Sequence, residues 1–188
     1  FVELVSLRPA APSNFYLDNR IRLNSEDWGY NTVVAKLEGL WWLEGETVSV
    51  FYDGDARIDL EVLDGTVELN SEAAYIVVGL GYSARAKTLP LSLPNYVLGG
   101  FPLSLRGLAL RQLNSRGLSV GSSFDKLEEL PQRRQEAWGN PLIGTTEMVN
   151  VELWGAGGWD TDAQICFEQS YPLACGIIGF TFDLDVGE

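Results

Sequence analysis

The sequence predicts an all-β protein built from antiparallel strands, and two observations carry that expectation. Period-2 alternation recurs along the chain: Val48, Val50 and Tyr52 alternate with Thr47, Ser49 and Phe51, and Val149, Val151 and Leu153 alternate with Asn150, Glu152 and Trp154. This is the spacing of half-buried strands. Asp53-Gly54 and Asp64-Gly65 follow extended runs. They are dipeptides that tight hairpins favour, because Gly takes φ > 0 without steric cost.

Read in order, residues 1–14 contain Pro9 and Pro12 with little periodicity and form an entering linker. Phe15 to Leu23 follows as a strand, and the polar run Asn24 to Tyr30 breaks it. Val33 to Asp64 holds two or three short strands, and Thr66 to Leu69 completes a hairpin across Asp64-Gly65. Ala73 to Leu80 is an apolar run of strand length, the mark of a strand buried on both faces. The chain extends again from Arg85 to Leu93, with Pro90 and Pro94 limiting the ladder, and 95–105 reads as a loop on Gly99, Gly100 and Pro102.

Leu108 and Leu110 alternate with Gly107, Ala109 and Arg111, and Asn114-Ser115-Arg116-Gly117 forms a turn before Leu118 and Val120. Residues 121–147 read as a long polar surface loop with room for a short helix at Asp125–Leu130. The end of the chain reads as a long closing hairpin. Ile165 and Phe167 face one way, Gln164, Cys166 and Glu168 the other, Pro172 marks the turn, and Ile178, Phe180, Phe182, Leu184 and Val186 make an apolar face.

The 188 residues suit one domain of ordinary size or two small ones, and 46% hydrophobic residues suffice for a sizeable core. No apolar run approaches the roughly 18 residues of a membrane span, so none is expected. The chain starts at Phe1 without a visible signal peptide and reads as a piece of something longer. It has no histidine, which excludes Ser-His and Cys-His nucleophile pairs and imidazole metal sites. Phosphate-binding loops and nucleophile elbows are absent from the sequence. The net charge of −13 argues against an external nucleic-acid-binding surface and suits a conduit through which DNA slides.

Three constellations remain. Cys166 and Cys175 flank a turn centred on Ser170 and Tyr171, so a symmetric hairpin makes them cross-strand neighbours. They read as two reduced thiols, with a disulfide or half of a metal site as the alternatives. The acidic pairs Asp53/Asp55 and Asp160/Asp162 invite a glycosidase or calcium reading, yet both lie in Gly-containing turns, where Asp serves the turn itself. Trp41, Trp42, Trp154 and Trp159 lie near Gly-containing segments. They are suited to core or subunit-interface packing, or to a carbohydrate platform.

The order of these motifs resembles a known family. Phe15-Tyr16-Leu17-Asp18-Asn19 is followed by Gly39-Leu40-Trp41-Trp42-Leu43-Glu44-Gly45, the Thr-Val-Ser-Val strand at 47–50 and the Asp53-Gly54 turn. Val78-Gly79-Leu80-Gly81-Tyr82, with Gly81 in place of a usual Pro, precedes Thr88-Leu89-Pro90-Leu91. Leu110 to Leu118, with its Asn-Ser-Arg-Gly turn, and Ile165 to Gln169 with Pro172-Leu173 complete the series. The set resembles the tail nozzle (tail tubular protein B) family of tailed bacteriophages, or a related virion tail or hub protein, over most of residues 15–186. The departures are Gly81, a 95–105 loop without the basic segment expected there, and a weak match at 122–147.

The resemblance implies a small β-barrel module at 31–82 inserted in a larger antiparallel β-sandwich or sheet layer formed by 15–30 and 83–188, with strands 15–23 and 86–93 in one layer. It implies a structural tail component, a nozzle-like tube segment for tail assembly and DNA passage during ejection, in a homo-oligomeric ring. Its partners are other tail subunits and a portal-adaptor assembly, its place the virion, its site of assembly the host cytoplasm. The family carries no catalytic residues, so no catalytic, cofactor or metal residue is assigned. The alternative is a receptor- or carbohydrate-binding β module.

Overall fold

The computed structural model describes residues 17–24, 33–90, 101–131, 148–152 and 159–187. Expectations for 1–16, 25–32, 91–100, 132–147 and 153–158, the linker and Trp154 among them, lie outside the described residues. Every strand pairing described is antiparallel, and no α-helix occurs among the described residues. The all-β class is as the alternation predicts.

The first half contains β1 (Leu17–Asn24), β2 (Val34–Leu37), a single 3-10 turn at Trp41–Leu43, β3 (Thr47–Tyr52), β4 (Asp55–Glu61), β5 (Val67–Ala73) and β6 (Tyr75–Gly81). Four strands form a sheet in the order β1-β6-β3-β4, and β2 and β5 form a two-stranded ribbon. One core joins them. Val48, Val50 and Tyr52 of β3 and Ile76 and Val78 of β6 pack with Leu37, Val67 and Leu69 of the ribbon. Val77, on the other face of β6, is also fully buried, as a strand apolar on both faces requires.

Two expectations are corrected here. The module does not close into a barrel. Beyond the tight turn, β4 and β5 form no ladder: a backbone bridge at Leu63–Thr66 and a side-chain hydrogen bond from Arg57 to Asn70 connect them, while β5 pairs with β2. In addition, β1 lies beside β6 and adds Ile21 and Leu23 to the first core, so it does not share a layer with the chain near residue 86. A bulge between Asp18 and Ile21 fits β1 to its neighbour.

The second half contains β7 (Ala84–Lys87), β8 (Leu103–Gln112), β9 (Leu118–Gly121), β10 (Leu127–Glu129), β11 (Met148–Glu152), β12 (Cys166–Gln169) and β13 (Ile177–Val186). Its sheets have the orders β10-β9-β12-β7 and β11-β8-β13. Leu103, Leu105, Leu108 and Leu110 of β8 meet Leu118, Val120, Ile165 and Phe167, and Phe180, Phe182 and Leu184 of β13 close the layer. The arrangement is a sandwich, with facing apolar sides interdigitated.

Three local readings change in this half. Leu127–Glu129 is a strand paired with β9 rather than a short helix, and Leu103–Leu105 is strand rather than loop. The closing hairpin is instead a crossover: β12 pairs with β7 and β9, while β13 pairs with β8. Splitting the two strands between sheets lets Phe167 and Phe180 meet across the core, with ring centroids 5.9 Å apart. Side by side in one sheet, both could not be covered by each other. The Asn114–Gly117 turn is likewise a crossover, from β8 in one sheet to β9 in the other.

Candidate functional site

Three of the four acidic candidates, Asp53, Asp55 and Asp160, accept backbone N–H groups. The two carboxylate oxygens of Asp53 accept the N–H groups of Ala74 and Tyr75, each at 2.8 Å, so Asp53 ties its hairpin to the start of β6. Asp55 accepts the Ala56 N–H at 2.9 Å. Asp160 accepts the Thr161 N–H at 2.7 Å while its backbone bridges Leu103, and Asp162 is exposed. These are turn duties. Among the described residues, no group of three or more His, Cys, Asp or Glu is placed to hold a metal ion, and no helix is long and apolar enough to cross a membrane.

Cys166 and Cys175 are free thiols and are not cross-strand neighbours, which corrects the hairpin reading. In register, Cys166 faces Lys87 and Gly121, and its thiol lies 3.8 Å from the Ser122 carbonyl oxygen. Cys175 packs against the second core. Burial raises both thiols above their ordinary value of 9.0. The nearby Lys87 charge pulls Cys166 back, and a hydrogen bond with Ser115 does so for Cys175. Burial also raises the Tyr52 phenol, and the Asp55 charge adds to that rise.

The described tryptophans are not core residues. Trp41 is 68% exposed, Trp42 48% and Trp159 60%. Trp41 is nevertheless held. Asp64 and Gly65 both have positive φ, +52° and +65°, which is a primed hairpin turn. Glu44 grips that turn with both carboxylate oxygens, accepting the Asp64 N–H at 2.8 Å and the Gly65 N–H at 2.5 Å. Leu40 donates its N–H to the Gly65 carbonyl at 2.8 Å, and the Trp41 ring lies on Gly65, where a Cβ would stand 2.6 Å from an indole carbon.

A second constellation holds the architecture together. The two crossovers run side by side: Leu113 N–H donates to the Gly176 carbonyl at 2.9 Å, and Arg116 N–H to that of Ala174 at 3.3 Å. Buried Ser115 donates to the Leu113 and Gly176 carbonyls and accepts the Gly176 N–H at 2.7 Å. Gln169 donates to the Arg116 carbonyl at 2.8 Å. The Arg116 guanidinium then donates to the Gly54 carbonyl at 2.7 Å and links the second half to the first. Motifs far apart in sequence, at 53–54, 114–117 and 168–169, thus converge on one junction.

Gly81 also finds its reason. A Cβ there would meet the Ser49 hydroxyl of the neighbouring strand unless that hydroxyl turned aside, so glycine leaves the present Ser49 rotamer undisturbed. Glu44, Ser115, Arg116 and Gln169 were not singled out one by one from sequence, although the motif resemblance contains all four. No protein-family model and no curated protein matches this chain.

Proposed function

We propose that this chain is a structural component of a phage tail, a nozzle-like tube segment that serves tail assembly and DNA passage. The observation that carries the reading is the ordered run of motifs from Phe15 to Leu173, a resemblance over most of residues 15–186. Support comes from what the motif residues do. Ser115, Arg116, Gln169 and the Asp53-Gly54 turn hold backbone together, the work of a structural family with no catalytic machinery. The terminal strands of the four sheets, such as β7 and β13, suit coverage by neighbouring subunits in a ring.

On this reading the partners are other tail subunits and a portal-adaptor assembly. The protein resides in the virion after assembly in the host cytoplasm, and it works without catalysis or cofactor. The purified chain is expected to release no sugar from surface or cell-wall polysaccharide. Release abolished by Asp160→Asn or Asp53→Asn would contradict the absence of catalysis.

A second reading, a receptor- or carbohydrate-binding tail module, is favoured by the exposure of Trp41, Trp42 and Trp159. Gold-labelled antibody on intact particles separates both from a non-virion role. Label at the distal tail is expected. Particles that carry no label would overturn the proposal, and soluble chain bound to a host glycan would favour the second reading.

A further inference from the structure

The end of the first half around the Asp64-Gly65 turn presents apolar surface in a fixed shape. Trp41, Trp42 and Leu63 are 68%, 48% and 58% exposed. The clamp by Glu44 and the stacking on Gly65 fix Trp41 before any partner arrives. Binding to a group already ordered costs less entropy, and rigid exposed aromatics are the usual anchors of protein interfaces.

On the described segments that frame this surface, 44–47 and 61–64, the exposed charge is of one sign. Backbone hydrogen bonds from Gly45 to Val62 and from Val62 to Glu46, with the Thr47–Glu61 register, lay residues 44–47 alongside 61–63. The exposed charges on these segments and the adjoining turn are Glu44, Glu46, Glu61 and Asp64. The cations flanking these segments along the chain are both engaged: Lys36 has its ammonium 3.6 Å from Glu38 and Glu68 opposite it in register, and the Arg57 guanidinium donates to the Asn70 side-chain carbonyl at 2.8 Å.

We propose that this end is a docking site for a basic protein segment, a partner strand or loop carrying Arg or Lys beside an apolar residue. The cation lies over an indole face and is attracted by its quadrupole, the surrounding carboxylates add Coulomb attraction, and the apolar neighbour covers Leu63. Phosphate-bearing partners are repelled by the same carboxylates. This inference stands whether or not the chain belongs to a virion tail.

The test uses the full chain with nitrogen-15 in its indoles, assigned by Trp41→Phe, Trp42→Phe and Trp159→Phe. The probes are a blocked heptapeptide alternating arginine and leucine, its glutamate counterpart, and a neutral hexasaccharide. The arginine peptide is expected to shift the Trp41 and Trp42 indole signals, leave that of Trp159 in place, and bind at least about fivefold more weakly in 0.5 M salt. The combined variant Glu46→Gln, Glu61→Gln, Asp64→Asn is expected to weaken binding by a similar factor with an unchanged thermal midpoint. Equal binding of the glutamate peptide, shifts spread over all indoles, or no shift with arginine would overturn the proposal. So would shifts produced by the hexasaccharide alone, or by dilution of the protein alone, which would mark a glycan or a second copy as the occupant.

Discussion

Glu44 and Asp53 perform the same act at two hairpins: each carboxylate accepts two backbone N–H groups from a segment about twenty residues further on. Charge-assisted bonds of this kind are stronger than neutral ones. They hold a conformation that already needs positive φ. Gly65→Val is therefore expected to destabilise the chain by about 1–2 kcal/mol through left-handed strain, with a further cost from overlap with the Trp41 ring. Urea denaturation measures it, and an unchanged midpoint would contradict the turn. The hairpin itself was legible in the sequence, because Asp-Gly encodes φ > 0 locally. The grip of Glu44 was not, because it depends on a contact formed only after the strands assemble.

The thiols give a pH dependence with a definite sign. Burial raises the folded pKa values of Cys166 and Cys175 above 9.0, so the native state keeps protons that the unfolded chain releases. Their contribution to stability is full below pH 9 and is lost as pH rises through the folded values. A Cys166→Ala, Cys175→Ala variant is expected to lose stability less steeply between about pH 9 and 10, seen by chemical denaturation at each pH. Equal slopes would contradict the burial of these groups.

At the scale of elements, the strands were legible and their partners were not. Alternation marks a strand because side chains on a pleated backbone point to opposite faces. A turn sequence, however, does not say whether the chain folds back beside itself or crosses to the facing sheet. Asn114–Gly117 reads as a turn and the segment after Gln169 as a hairpin, and both are crossovers. Phase slips are equally silent. A bulge between Ile177 and Gly179 moves Ile178 outward, 43% exposed, and brings Ile177 to the core in its place. Ile178→Thr is therefore expected to change stability by no more than about 0.5 kcal/mol. Phe180→Ala is expected to cost about 2–3 kcal/mol, somewhat below a fully buried ring. Equal losses in thermal or urea unfolding would place the bulge elsewhere.

For the whole molecule, two cores joined through Arg116 and Gly54 make a two-part β scaffold, and its surface is strongly acidic. The class was legible, while the barrel expected at 31–82 was not realised, since closure depends on a β4–β5 ladder that no local pattern specifies. With 26 Asp and Glu against 13 Lys and Arg, the surplus charge must lie on the surface, because unpaired charges are almost never buried. If the chain lines a conduit, as proposed, those carboxylates are expected to face the channel. There, repulsion keeps phosphate from sticking, whereas each phosphate held by Lys or Arg would gain counterion-release energy and slow passage. The most direct measurement is an electron cryomicroscopy map of the assembly that contains this chain. The account predicts a symmetric ring around an open channel, with carboxylates of this chain concentrated on the channel wall. A chain lying outside any ring, or a ring with acidic residues spread evenly over all faces, would contradict it.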